Sequence, residues 1–190
     1  NGLIITPDSA GSYIWTGASD TDWNTSSNWL GGNIPSSSSI ITIPPVTNQP
    51  VIASGNSVTI DDVSNLIFDT GSSITVDGTL KLTGDFTIDS KITEASSGNL
   101  IISGTLTNTE SFTSSTLNLE CTNISAANNL EFKNITLATG ASISRSGDAS
   151  ITSIACEDIT FNGSASVGSD ISLVYNGALF ASGNVSFAGN

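Results

Sequence analysis

The chain contains no histidine and no methionine, and only four basic residues among 190. Without histidine, Ser–His and Cys–His nucleophiles and zinc–histidine centres are excluded. The cations are Lys81, Lys91, Lys133 and Arg145, scattered among 17 acidic groups for a net charge of −13. No basic patch can form, so nucleic acids and anionic membrane surfaces are not expected as partners. No apolar run reaches the ~18 residues that cross a bilayer, and no membrane insertion is expected. Amphipathic helix patterns are missing as well: no stretch repeats apolar residues at i, i+3, i+4 and i+7. The sequence starts without Met and without a signal peptide, which reads as a processed chain or an excised fragment.

What fills the chain is 33 serines, 23 threonines, 18 glycines and short runs of Ile, Val, Leu and Phe. Apolar–Thr/Ser–apolar triplets recur: "ITI" (41–43), "VTI" (58–60), "ITV" (74–76), "FTI" (86–88), "ITL" (135–137), "ITF" (159–161) and "VSF" (185–187). In a strand the outer residues of such a triplet share one face and the middle residue takes the other. Gly, Asn and Asp turn signals separate the triplets after every few residues. Strands this short are poor sandwich strands, whose alternation runs longer. Three of them with three corners make a coil of roughly 20–24 residues. The pattern therefore predicts an all-β fold, a right-handed single-stranded parallel β-helix, with a β-sandwich as the alternative. The expected core includes Ile60, Leu66, Phe68, Ile74, Val76, Leu80, Leu82, Phe86 and Ile88. An echo of core–x–Asp/Asn–Ile/Val–Ser/Thr appears at 60–64, 121–125, 132–136 and 156–160. Phe132 and Cys156 fit one coil apart; the step from 121 to 132 does not.

All three tryptophans, Trp15, Trp23 and Trp29, crowd into "YIWTGASDTDWNTSSNWLGG" (13–32). A β-helix exposes core ladders and unpaired edges at its ends, and terminal repeats are atypical caps. Three indoles ahead of the first regular coil suit a plug; the functional alternative is an aromatic platform for sugar rings. The chain divides accordingly into an N-terminal cap with the first strands (1–52) and one continuous run of coils (53–190).

The segment Trp15-Thr16-Gly17, Asp22-Trp23-Asn24, Asn28-Trp29, Pro35 and the "TIPP…QPVI" run at 42–52 resembles a module of large secreted surface proteins of Bacteroidetes and spirochaetes. There such a head precedes a parallel β-helix. The rungs at 66–88 resemble those of adhesin and autotransporter passengers. The resemblance implies a bacterial secreted or cell-surface location, with a surface glycan or host matrix as partner.

Asp20, Asp22 and Asn24 alternate like oxygen ligands of a Ca²⁺ loop, but Asx side chains capping a turn alternate in the same way. No other cofactor is implied. Asp61-Asp62 is a close carboxylate pair of the kind polysaccharide hydrolases use, here without a second pair or a basic subsite. No catalytic residue is assigned. Outward Thr42, Thr59, Thr75 and Thr87 suit cross-strand hydroxyl ladders better than an ice-binding array. Cys121 and Cys156 fall in the inward register, as a disulfide or as two core thiols. The expected function is a non-catalytic structural or adhesive surface protein, associating end to end through its C-terminal edge. A carbohydrate-binding module using the Trp head and, more distantly, a polysaccharide-degrading enzyme are the alternatives.

Overall fold

The computed structural model describes residues 11–94, 96–147 and 152–188. Every strand–strand pair among them is parallel, and the strands stack as a β-helix of about seven turns. The coils run along three faces joined by corners.

Face 1 is one continuous sheet through Ser57–Ile60, Thr79–Leu82, Asn99–Asn108, Asn118–Ala126, Asn134–Leu137, Asp158–Phe161 and Leu179–Ala181, which define coils 1 to 7. The long strands Asn99–Asn108 and Asn118–Ala126 turn the corner and supply face 2 as well. There they pair with Phe86–Thr87 below and Ser142–Arg145 above, followed by Ala165–Val167 and Val185–Phe187. Face 3 is divided. Val51–Ile52, Ile74–Val76 and Ile92–Glu94 form one sheet, and Phe112–Thr113, Leu130–Glu131, Thr152–Cys156 and Ile171–Tyr175 form another. At the head, Ser12–Ile14, Ile40–Ile43 and Leu66–Phe68 make a separate three-stranded sheet.

The triplets explain the interior. In register, Val58, Leu80, Leu100, Leu119, Ile135, Ile159 and Leu179 stack along face 1, as do Ile60, Leu82, Ile102, Cys121, Leu137 and Phe161. All but Leu179 are buried, and Leu179 packs against the core from the last coil. Of the expected core residues only Phe68 departs, being half-buried. Its strand pairs with Ile40–Ile43 on one side and, among the described residues, with no strand on the other.

Coil length varies. Asn99 to Asn118 is 19 residues, Asn118 to Asn134 is 16, and Asn134 to Asp158 is 24. The sequence echo marks a recurring bend used at two different corners. At 60–64 it leads from face 1 to the head-sheet strand Leu66–Phe68 and at 121–125 from face 1 to face 2; at 132–136 and 156–160 it leads from face 3 to face 1. This is why the step from 121 to 132 fits no coil, whereas Phe132 and Cys156 lie one coil apart, next to the pair Glu131↔Ala155.

Candidate functional site

The head is the densest constellation the sequence singled out. Thr16, Asn28 and Asn48 organise it. Asn28 is fully buried; its side-chain oxygen accepts the amides of Ser19 (2.9 Å) and Asp20 (3.0 Å). Its amide nitrogen donates to Asp20 Oδ1 (2.6 Å) and to the Asp22 carbonyl (3.0 Å). Thr16 donates its hydroxyl to the Asn28 carbonyl. Gly17 adopts φ +57°, and a Cβ there would lie 2.4 Å from the Asn48 carbonyl oxygen, so the glycine is needed both for its backbone and for its lack of bulk. In return, Asn48 donates its side-chain amide to the Gly17 carbonyl (2.8 Å).

Around this frame the indoles pack on one another. Trp29 meets Trp15 edge-on at 5.0 Å and Trp23 edge-on at 4.8 Å, while Trp15 and Trp23 stack at 6.4 Å. Tyr13 adds an edge contact to Trp29. The Trp15 N–H donates to the Asn48 carbonyl and the Trp29 N–H to the Trp23 carbonyl. All three are buried, at 0%, 2% and 2% exposure. Their backbone also closes edges: the Trp15 amide bonds Thr42, and the Trp23 amide bonds Val51, whose own amide bonds Thr21. The ring faces lie against each other and against the first strands, the burial expected of a plug. Trp23 still contributes to a shallow groove of about 250 Å³ beside Pro35, Ser57 and Thr59.

Asp20, Asp22 and Asn24 form successive Asx turns. Asp20 Oδ1 accepts the Asp22 amide and Asp22 Oδ1 accepts the Asn24 amide. The Asn28 side chain, then the Asp22 amide and the Thr25 hydroxyl, hold the Asp20 carboxyl below its ordinary range. The alternation is thus accounted for by backbone capping, and no group of three or more acidic, Cys or His side chains converges as a metal site among the described residues.

Asp61 and Asp62 do not act on one another. Ser37 donates its hydroxyl to Asp61, and Asp62 caps the Ser64 amide. Ser64 holds the Asp62 carboxyl low, so both groups read as corner caps. Cys121 and Cys156 are free, buried thiols on different faces, so the disulfide alternative is corrected. Burial, then nearby Glu120, pushes Cys121 up to about 12; burial, then Asp158, pushes Cys156 up to about 11. Two of the outward threonines pair as hydroxyl ladders, Thr75 with Thr93 and Thr87 with Thr107, each at 2.8 Å.

Sequence reasoning missed the side chains that clamp coil to coil. Asn99, Asn118, Asn134 and Asp158 stand in register at the entry to face 1. Asn118 donates to Asn99 Oδ1 and Asn134 to Asn118 Oδ1; the Asp158 amide donates to Asn134 Oδ1, and the Ala178 amide to Asp158. Asn108, buried, accepts from the amides of Ala127 and Asn128 and donates to the carbonyls of Glu110 and Asn128. The signal was present: an Asn or Asp stands immediately before "LII", "LEC", "ITL" and "ITF" where the chain enters face 1.

A family described as a domain of unknown function (DUF8693) matches residues 14–118, from the Trp head to the start of coil 4. The chain belongs to this family. The matched DUF8693 span takes in the plug, the leading strands and the first three coils together. No curated protein matches the chain, and no solved structure does.

Proposed function

We propose that this chain is a non-catalytic structural or adhesive segment of a secreted or cell-surface bacterial protein, a rigid spacer. One observation carries the reading: the carboxylates that the sequence singled out are engaged in holding turns and neighbouring segments together. Asp20, Asp22, Asp61 and Asp62 cap turns and neighbouring segments, and the Asn row ties coil to coil. Seven coils at ~4.8 Å give a rod of roughly 35 Å. Extension end to end into a stalk or fibre belongs to the same proposal. At the C-terminal end of the described stack Tyr175 and Phe187, in register with the buried Cys156 and Val167, are left exposed, and a further coil stacked there would cover them.

The location is tested by protease shaving of intact source cells: release of peptides from this chain supports it, and protection until lysis refutes it. Association is tested by negative-stain microscopy at rising concentration, where end-to-end particles are expected and strictly single rods remove the fibre. Release of reducing ends from acidic polysaccharides would overturn the non-catalytic reading.

A further inference from the structure

The clamps between successive coils use one geometry and two chemistries. At the joints of coils 3 to 5 the side-chain acceptor is an amide. Asn108 takes the amides of Ala127 and Asn128, Asn123 takes that of Ser142, and Asn129 takes that of Ser153. Along coil 2 the acceptor is a carboxylate at three successive corners, starting with the one by which the chain enters the coil from the pair Val76↔Glu94. Asp77 Oδ1 accepts the amides of Ser96 (3.0 Å) and Ser97 (3.1 Å) and the Ser96 hydroxyl (2.6 Å). Asp85 accepts the Thr105 amide (2.7 Å). Asp89 accepts the amides of Thr109 (2.7 Å) and Glu110 (3.2 Å) and the Thr109 hydroxyl (2.7 Å).

The joint of coils 2 and 3 is where face 3 is divided. Among the described residues, Ile92–Glu94 pairs with Ile74–Val76 alone and Phe112–Thr113 with Leu130–Glu131 alone. The amides of Phe112 and Ser114 point up to coil 4, so the intervening Thr113 amide faces coil 2 across the seam. A groove of about 430 Å³ runs along it, lined by Asp89, Ile92, Thr93, Glu110 and Phe112. Asp89 itself holds φ +34°, an uncommon conformation for a side chain of L configuration. A missing ladder and three ionic clamps thus coincide at one level of the stack.

We propose that the β-helix carries an acid-sensitive joint between coils 2 and 3, closed by Asp77, Asp85 and Asp89 and opening ahead of the coils above it when these carboxylates are protonated. A carboxylate accepts an amide more strongly than a neutral acid does, and protonation turns an acceptor oxygen into a donor facing another donor. Asp77 is held below its ordinary range by the Ser96 hydroxyl, then by the amides of Ser97 and Ser96. Burial raises Asp89, but the Thr109 amide and hydroxyl, the Glu110 amide and Lys91 outweigh it and leave it lowered. The ionisable neighbours are few. Lys91 of coil 2 and Glu110 of coil 3 flank Asp89. Asp61 and Asp62 occupy the corner of coil 1 that packs on the corner of Asp85, through Val63 against Gly84. Asp77 meets the uncharged Ser96 and Ser97. With the folded values of Asp77 and Asp89 lowered, their clamps are complete above the unfolded Asp value of ~3.9 and are lost as pH falls through the folded values. Asp158 gives the joint of coils 6 and 7 a single clamp of the same kind.

Peptide-resolved hydrogen exchange of the whole protein from pH 7 to 3, corrected for intrinsic exchange, tests this. Residues 96–110 should lose protection by about tenfold or more, the scale of one charge-assisted hydrogen bond, while Ala127, Asn128, Ser142 and Ser153 keep theirs. The triple variant D77N/D85N/D89N converts the joint to the amide type and should flatten the pH dependence at 96–110. If that variant does not fold, D77N and D89N singly should each reduce the dependence. Parallel loss in coils 3, 4 and 5, no loss at 96–110, or an unchanged acid response in the Asn variants would overturn the proposal.

Discussion

The indole N–H of Trp15 donates to the main-chain carbonyl of Asn48 at 2.7 Å, across 33 residues of chain. This bond ties the head to the loop between the first two strands of the stack, and the same loop receives Gly17. Trp15→Ala or Trp29→Ala should cost ~3–5 kcal/mol, the range for a buried aromatic truncated in a core. Trp15→Phe keeps a ring but orphans the carbonyl, and should cost ~1–3 kcal/mol. Urea denaturation followed by circular dichroism measures both; a stability loss within ±0.5 kcal/mol for Trp15→Ala would contradict the plug.

Gly17→Ala should destabilise by more than ~1 kcal/mol, because alanine at positive φ is strained and its Cβ meets the Asn48 carbonyl. Gly31→Ala serves as the comparison. Gly31 also has positive φ (+89°), but nothing lies within 4 Å of its added Cβ, so the loss there should be smaller. Equal melting temperatures for the two variants would deny the close approach.

Asn108→Ala should cost ~1–3 kcal/mol, since it leaves the Ala127 amide and the Glu110 and Asn128 carbonyls without their partner. Asn108→Leu, of similar size, should fare no better. If leucine restores wild-type stability, the site is a packing position and not a polar clamp.

The two thiols should be silent to an aromatic disulfide reagent at pH 8 and titrate as two groups under denaturant, because both are free and buried. Burial pushes their values up to about 12 and about 11 from the ordinary thiol value of 9.0. Both raised values act in the same direction: the thiols contribute stability below pH ~9 that is lost as pH rises through the folded values. Cys121→Ala/Cys156→Ala should therefore flatten the stability profile between about pH 9 and 11, read from urea midpoints at each pH.

Much of this fold can be read from the triplets, since the burial period of 2 is written directly in residues such as Ile74-Thr75-Val76. The three indoles are likewise legible as a plug, because an aromatic cluster placed ahead of regular coils has an edge to close. Coil length is not legible. Corners are held by hydrogen bonds that different numbers of residues satisfy equally, so the 16-residue step from Asn118 and the 24-residue step from Asn134 leave no common period. The clamps escaped for a related reason. Asp77 and Asn108 look like ordinary turn residues until the coil that stacks on them is known. Asp20, Asp22 and Asn24 show the converse: alternating oxygens have the same spacing whether they hold a cation or cap amides, and the bonds to the Asp22 and Asn24 amides become visible only in the fold.

Unequal coils on a constant interior separate two rates of change along the chain. Columns such as Val58, Leu80, Leu100 and Leu119 admit substitutions of like volume and no shift of register. Corners admit insertion and deletion: Gly140, exposed at φ +78° with open space around it, sits in the 24-residue step. A lineage carrying this architecture can thus drift in length while its cross-section stays the same, and strand-by-strand alignment will relate its members after end-to-end alignment has failed.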